Sequence, residues 1–118
     1  MATIKNNTDV SQSLKLAEFL PIESADNYYS WHDERYYVVN KDCPYPYSLK
    51  EKIPCWSLAA LLNILPYPQL YKDKLGSGKT GWIVNASPND CRYVSCWHDN
   101  PVDACCELIL KLHELKML

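Results

Sequence analysis

A thiol, an imidazole and an amide in this chain have the side-chain types that a cysteine-based catalytic site uses. Cys55 stands near the start of residues 53–65, an uncharged apolar stretch that predicts a buried helix. A thiol at a helix N-terminus can have a lowered pKa, which makes it a better nucleophile. His98 ends a predicted strand, and Asn100 lies two residues beyond it. The sequence therefore offers Cys55, His98 and Asn100 as candidate catalytic residues of a cysteine hydrolase or transferase.

The same cysteine has a simpler interpretation, as a small buried thiol at the foot of a core helix. Papain-like proteases carry a Cys-Trp pair at a helix start, which Cys55-Trp56 resembles. The Cys-Gly-Ser that precedes such a pair is absent, because Pro54 stands there, and no glutamine lies just upstream. Local protease signatures transfer poorly between families, so the buried-thiol interpretation is favoured.

Three residues with metal-binding side chains lie close together in the sequence: Cys91, Cys96 and His98. Cys96 and His98 are two positions apart on a predicted strand, so they project to the same face. Structural zinc sites usually contain two tight pairs such as Cys-x-x-Cys, and the sequence has no such pair. We therefore expect no metal and no other cofactor, and a metal-binding module is only the third candidate function.

Residues 76–80 (Gly-Ser-Gly-Lys-Thr) resemble part of a phosphate-binding loop. The first glycine of that motif would fall at Asp73, and a strand is predicted from Gly81, where the motif requires a helix. Nucleotide binding is therefore not expected. His32, Asp33 and Glu34 offer general-base groups, but they are better interpreted as a solvated turn before a strand.

Tyrosine and tryptophan are abundant, with nine Tyr and four Trp against a single Phe. These side chains combine a large contact area with a polar tip, which suits interfaces. The tyrosines do not follow one clean period, which favours the alternative that they line strands, where they pack well without a partner. Four tyrosines lie on two proline-rich stretches and form the predicted partner-binding surface: Tyr45, Tyr47, Tyr67 and Tyr71.

Composition limits the classes of function. The 118 residues are 47% hydrophobic and 22% charged, as in an ordinary globular domain, and the net charge of −2 predicts no nucleic-acid partner. The polar N-terminus has no signal-peptide pattern, and no uncharged run approaches the ~20 residues that span a bilayer. We therefore expect a cytoplasmic protein without membrane contact, whose six cysteines are reduced.

Capping and turn signals predict an α+β fold with one domain. Residues 1–7 are predicted to be a flexible arm, and residues 8–118 a single domain. The predicted helices begin at Thr8 or Asp9, at Ser57 and at Asn100. A three-stranded antiparallel sheet is predicted from residues 35–40, 81–87 and 91–97, the last two forming a hairpin, with a long loop at residues 66–80.

Three stretches resemble short uncharacterised proteins from prophages and mobile elements of gut bacteria. They are Leu-Ala-Glu-Phe-Leu-Pro-Ile-Glu-Ser-Ala-Asp-Asn-Tyr at residues 16–28, Ile-Pro-Cys-Trp-Ser-Leu-Ala-Ala-Leu-Leu at residues 53–62, and Asp-Asn-Pro-Val-Asp-Ala with Leu-His-Glu at residues 99–114. The resemblance implies a small accessory or interaction protein, and it implies no catalytic residue. The leading prediction is a non-enzymatic module that binds another protein, and a homo-oligomer stays open.

Overall fold

The chain alternates short helices with antiparallel strands. The computed structural model describes residues 5–32, 34–40, 53–74, 78–89 and 92–118. In chain order the elements are α1 (Val10–Ala17), a short 3-10 helix (Ile22–Ser24), β1 (Asn27–His32), β2 (Arg35–Asn40), β3 (Ile53–Cys55), α2 (Leu58–Ile64), β4 (Gln69–Lys74), β5 (Thr80–Asn89), β6 (Arg92–His98) and α3 (Pro101–Glu114). Within these ranges, no helix is both long enough and apolar enough to cross a membrane.

Polar side chains cap the helices where the sequence predicts them. The Gln12 backbone N–H donates to the Asp9 carboxylate over 2.7 Å, and the Asp9 N–H donates back to the Gln12 side chain over 3.1 Å. Ser57 caps α2 by accepting a backbone N–H of its first turn. Asn100 does the same for α3, and Pro101 is the first helical residue. Each cap stabilises its helix by about 1 kcal/mol.

The strands of the described residues form two three-stranded antiparallel sheets. The first has the order β2-β1-β3, and a tight turn joins β1 to β2, since His32 pairs with Arg35. Glu34 in that turn has φ of 62°, a left-handed conformation uncommon for residues other than glycine. The second sheet has the order β4-β5-β6, with β5 and β6 paired as a hairpin.

The α+β class and the predicted hairpin are confirmed, but the prediction of one sheet is wrong. Residues 35–40 do not join the hairpin, because residues 27–32 form a strand that pairs with them locally. Residues 69–74, predicted as part of a loop, form the edge strand β4 along β5. Pairing between neighbours in sequence closes only short loops, which costs little chain entropy.

The core is organised around α3, which packs on β5 and β6 and contacts α2. One face of this helix is fully buried, and its largest aliphatic side chains are Val102, Leu108, Ile109 and Leu112. Trp56, Leu61 and Val84 complete the same apolar cluster. Burial stabilises each such aliphatic side chain by about 1.5–3 kcal/mol relative to exposure.

The segment before α1 contacts the rest of the fold. Asn7 forms a backbone bridge with Ser57. The Thr8 backbone N–H donates to the Trp56 carbonyl over 2.9 Å, and the Thr8 side chain is fully buried. Asn7, the last residue of the predicted arm, is therefore bound to the chain just before α2.

Leu61→Asp is expected to abolish folding, because it replaces a fully buried leucine of α2 with an unpaired carboxylate. The expected cost is more than about 4 kcal/mol of unfolding free energy, most of what a small domain has. Thermal melting followed by circular dichroism measures it. Leu14→Asp is the matched control, since Leu14 is 52% exposed on α1 and the change should shift the melting temperature little. A cooperative melt for Leu61→Asp would contradict the prediction.

Candidate functional site

Cys55 is the last residue of β3 and lies three positions before α2. Its side chain has no exposed surface. Burial, reinforced by the negative charge of Asp26, raises the pKa of the Cys55 thiol to about 12. The Asp26 carboxylate is fixed beside it by the backbone N–H and the hydroxyl of Ser57. At neutral pH Cys55 is a protonated thiol inside the core, which is the opposite of an activated nucleophile.

His98 and Asn100 are both engaged at the start of α3. The Nδ1 atom of His98 lies 3.7 Å from an Asp103 carboxylate oxygen. It is buried and has no hydrogen-bond partner among the residues that the structure describes. The Asn100 side chain is the N-cap of α3. No hydrogen bond or ion pair of the described residues joins either side chain to Cys55. The pair Cys55–His98 stays a prediction, and the burial of the thiol disfavours it.

The metal-ligand candidates do not converge in the described part of the chain. Cys96 is half-buried beside Glu107 and Lys111 of α3, whereas His98 faces Asp103 farther along the strand. Cys91 lies outside the described residues. Within those residues, no group of three or more His, Cys, Asp or Glu side chains is arranged to hold a metal ion.

The glycine-rich motif at residues 76–80 leads directly into β5, which begins at Thr80. The strand predicted after this motif is therefore confirmed. A phosphate-binding loop needs free backbone N–H groups at the start of a helix, and β5 cannot supply them. Gly76 and Ser77 lie outside the described residues.

A polar cluster holds the N-terminal segment against α3. The Lys5 ammonium donates to carboxylate oxygens of Asp103 over 2.7 Å and of Asp9 over 3.0 Å. The Gln12 amide also donates to Asp103, over 2.8 Å. Burial alone would raise the pKa of Asp103, but the hydrogen bonds from Lys5 and Gln12 outweigh it and lower that pKa. For Lys5, the bonds to Asp103 and Asp9 outweigh burial and raise its pKa.

The β4–β6 sheet has one face covered by α3, and no other helix of the described residues is shown to cover its opposite face. Val84 of β5 is fully buried in the core, and Cys96 lies opposite it on β6, so the side chains next to them in sequence point away from α3. We call this second side the outer face, and its residues are Gln69, Tyr71, Asp73, Gly81, Ile83, Asn85, Tyr93, Ser95 and Trp97.

Aromatic side chains dominate the outer face. Tyr71 is 43% exposed and Tyr93 is 70% exposed. Trp97 lies against Gly81, where any larger side chain would overlap the indole ring, so the glycine lets this ring pack close to the sheet. Between the aromatic side chains, the Ser95 hydroxyl donates to the Asn85 amide oxygen over 2.5 Å. The face thus combines apolar and hydrogen-bonding groups, with the exposed carboxylate of Asp73 near the end of β4.

Tyr67 stands at one end of the same sheet, between Pro66 and Pro68. It is 82% exposed, and its φ of 47° is left-handed, which is unusual for a bulky residue. The Ser87 backbone N–H donates to the Pro66 carbonyl over 2.9 Å, so the turn is fastened to β5. Strained backbone of this kind is found preferentially at functional sites.

Of the four tyrosines in the predicted partner surface, Tyr67 and Tyr71 are exposed, while Tyr45 and Tyr47 lie outside the described residues. Tyr71 is on a strand and not on a loop. The sequence prediction omitted Tyr93, although the alternation of Tyr93, Ser95 and Trp97 places these side chains on one face. The sequence alone does not show which face of the sheet α3 covers.

No protein-family model, curated protein or solved structure matches the chain. The resemblance to proteins of prophages and mobile elements stays a prediction.

Stability is expected to depend on pH through the Lys5–Asp103 cluster. A lowered carboxyl pKa contributes stability above the unfolded pKa of about 3.9, and this stability is lost as the pH falls through the folded pKa. A raised lysine pKa contributes stability below the unfolded pKa of about 10.4, and this stability is lost as the pH rises through the folded pKa. Urea unfolding as a function of pH should therefore show a decline at both extremes.

Asp103→Asn is expected to destabilise the protein by about 1 kcal/mol at neutral pH, because it removes the charge that binds Lys5. The variant should also lose less stability than the wild type on acidification. Glu107→Gln is the control, since Glu107 is an exposed carboxylate on the same helix. If both variants keep the pH dependence of the wild type, the cluster is not its source.

Native alkylation should distinguish the thiols by burial. Cys55, Cys105 and Cys106 have no more than 1% exposure, and the pKa of each is raised to about 12, mainly by burial. Half-buried Cys96 should therefore react with iodoacetamide before these three, as peptide mass spectrometry can show. Rapid labelling of Cys55 at neutral pH would instead indicate an activated thiolate and favour an enzyme.

Proposed function

We propose that this protein is a non-enzymatic module that binds another protein through the outer face of the β4–β6 sheet and the adjoining Tyr67. The observation that carries this proposal is the exposure of three tyrosines on one sheet and its end. Tyr67 is 82%, Tyr93 70% and Tyr71 43% exposed. Exposed tyrosines of this kind are common anchors of protein interfaces.

The surface is organised before any partner arrives. Two prolines restrict the backbone around Tyr67, and the hydrogen bond from Ser87 fastens the turn. Tyr71 and Tyr93 are carried by paired strands, so their backbones are fixed as well. A preorganised surface loses little conformational entropy on binding, which favours affinity.

The chemistry of the outer face suits a neutral protein partner. Gln69, Asn85 and Ser95 form an uncharged row across the three strands, with a hydroxyl and amides that can bond to a peptide backbone. Aromatic residues lie on either side of this row. Such a combination of anchors and adaptable polar groups is typical of recognition surfaces.

The groups that an enzyme would need are used for structure instead, which supports a binding function. The Cys55 thiol is buried and protonated. Asn100 caps α3, and His98 is next to the Asp103 cluster. No observation favours the cysteine-enzyme or metal-binding alternatives over the binding module.

We further place the protein in the cytoplasm, as an accessory protein of a prophage or mobile element. The four cysteines of the described residues are free thiols, which fits a reducing compartment. The resemblance of residues 16–28, 53–62 and 99–114 supports the mobile-element origin. Neither a nucleic-acid nor a membrane partner is proposed.

Selection from a displayed peptide library tests the binding surface. The wild-type protein should enrich peptides whose affinity falls about tenfold or more in Tyr93→Ser and in Tyr67→Ser, the range expected for interface anchors. Both residues are exposed, so folding should be unchanged and circular dichroism can verify this.

Tyr36→Ser is the matched control, because Tyr36 is a 44% exposed tyrosine of the other sheet. Its binding to the same peptides should equal that of the wild type. Failure to enrich any peptide, or peptides that bind both tyrosine variants normally, would contradict the proposal.

A further inference from the structure

Of the residues on the outer face, Asp73 alone carries a charge. Its side chain is exposed near the end of β4. One carboxylate oxygen accepts the Lys74 backbone N–H over 2.7 Å, and this is its one hydrogen bond among the described residues. A carboxylate has two acceptor oxygens, so Asp73 can accept further hydrogen bonds from a partner.

The neighbouring lysines do not neutralise Asp73. Lys72 and Lys74 alternate with Asp73 along β4, so they project to the opposite face of the sheet. There the Lys72 ammonium lies 5.8 Å from the centroid of the Trp82 ring. The ion pairs between residues of the described ranges all belong to the Lys5–Asp103 cluster. The negative charge of Asp73 is therefore available to a cation from outside.

The Trp97 indole lies beside this carboxylate. Asp73 pairs with Gly81 across β4 and β5, and Cβ positions in such a pair are about 4.5–5.5 Å apart. The indole fills the space above Gly81, because a Cβ there would lie 2.1, 2.3 and 2.4 Å from its Nε1, Cε2 and Cζ2 atoms. The Nε1 atom is buried without a hydrogen-bond partner in the part of the chain that the structure describes, so it does not donate to Asp73.

Tyr71 adds a second ring next to Asp73. It lies two positions earlier on β4, so the two side chains project to the same face. Ile83 lies opposite Tyr71 on one side and opposite Trp97 on the other, and thus separates the two rings. We call Asp73, Tyr71 and Trp97 the carboxylate–aromatic group.

We infer that the carboxylate–aromatic group binds the side chain of an arginine in the partner protein. This inference rests on the proposed function, because it names the residue that one end of the same face receives. A guanidinium is planar, donates two parallel hydrogen bonds to a carboxylate, and stacks on aromatic rings. A lysine ammonium has the charge without the planar shape, and a neutral side chain leaves the carboxylate unpaired.

The charges around the outer face agree with a single cationic residue in the partner. The row of Gln69, Asn85 and Ser95 is uncharged. Asp99 directly follows β6 and is exposed at the same end of the sheet as Asp73, so it adds negative charge there. Complementary charge fixes the orientation of a bound segment. The partner segment is thus mainly uncharged, with an arginine at the Asp73 end.

A titration of the full chain with the capped tripeptide Gly-Arg-Gly, followed by nuclear magnetic resonance at low ionic strength, tests this subsite. The peptide should shift the indole N–H resonance of Trp97 in a saturable manner. The same tripeptide with citrulline in place of arginine has nearly the same shape and no charge. It should bind about fivefold more weakly, because it loses both the ion pair and the cation–π contact.

Asp73→Asn should weaken binding of the arginine tripeptide by about fivefold, since asparagine keeps an acceptor for the Lys74 N–H but has no charge. Because Asp73 is exposed, the variant should melt like the wild type. Glu107→Gln is the matched control. It removes an exposed carboxylate of α3, on the other side of the sheet, and should leave binding of the tripeptide unchanged.

The inference is overturned if the tripeptide leaves the Trp97 resonance unchanged, if the citrulline peptide binds equally well, or if Asp73→Asn binds like the wild type. Library peptides that bind through Tyr93, contain no arginine and bind Asp73→Asn normally would also overturn it, while the proposed function would stand. An arginine tripeptide that binds through Asp73 when the library enriches no peptide would support this subsite and contradict that function.

Discussion

Burial of the apolar face of α3 is the constraint on which the rest of the structure depends. The helix covers one side of the β4–β6 sheet and also contacts α1 and α2. Burial of its leucines and isoleucine stabilises the fold by more free energy than any cap or ion pair does. Because a single helix can cover only one face of a sheet, α3 itself does not cover the outer face.

Hydrogen bonds of polar groups around α3 add to the stability that apolar packing provides. The Lys5–Asp103 cluster joins the N-terminal segment to the helix start, and the Asn100 cap satisfies a backbone N–H there. Cys55 is fully buried in the core, and His98 lies beside Asp103 at the start of α3. The side chains of Tyr67, Tyr71 and Tyr93 are exposed and lie outside the apolar core. The molecule thus buries Cys55 in its core, whereas three tyrosines of the β4–β6 sheet and its end are exposed.

Local signals explain what the sequence predicts well. The caps at Asp9, Ser57 and Asn100 depend on residues within one helical turn, and the β5–β6 hairpin depends on the turn residues between its strands. The sequence does not predict the strand β4, because its run of Lys72, Asp73 and Lys74 has no alternation of apolar residues. Those charges belong to an exposed edge strand, whose pattern is close to that of a loop.

The arrangement of the candidate site depends on contacts distant in sequence, which a single sequence does not reveal. Lys5 and Asp103 are 98 positions apart, and no pattern in the sequence indicates that their side chains meet. The exposure of Tyr67 and Tyr71 follows from their proline-rich surroundings, whereas the role of Tyr93 depends on the face that α3 covers. Likewise, the division into two sheets depends on the strand β1. Its residues Tyr-Tyr-Ser-Trp are not flanked by residues that clearly mark the ends of a strand.

Residue-resolved amide hydrogen exchange, followed by nuclear magnetic resonance, tests the central place of α3 most directly. If α3 organises the core, the amides of its buried turns and of β5 exchange slowest, at the rate of global unfolding. The amides of the exposed strand β4 exchange earlier, through local opening. If the α3 amides exchange before those of the strands, the helix is a peripheral element, and its burial is not the constraint on which the fold depends.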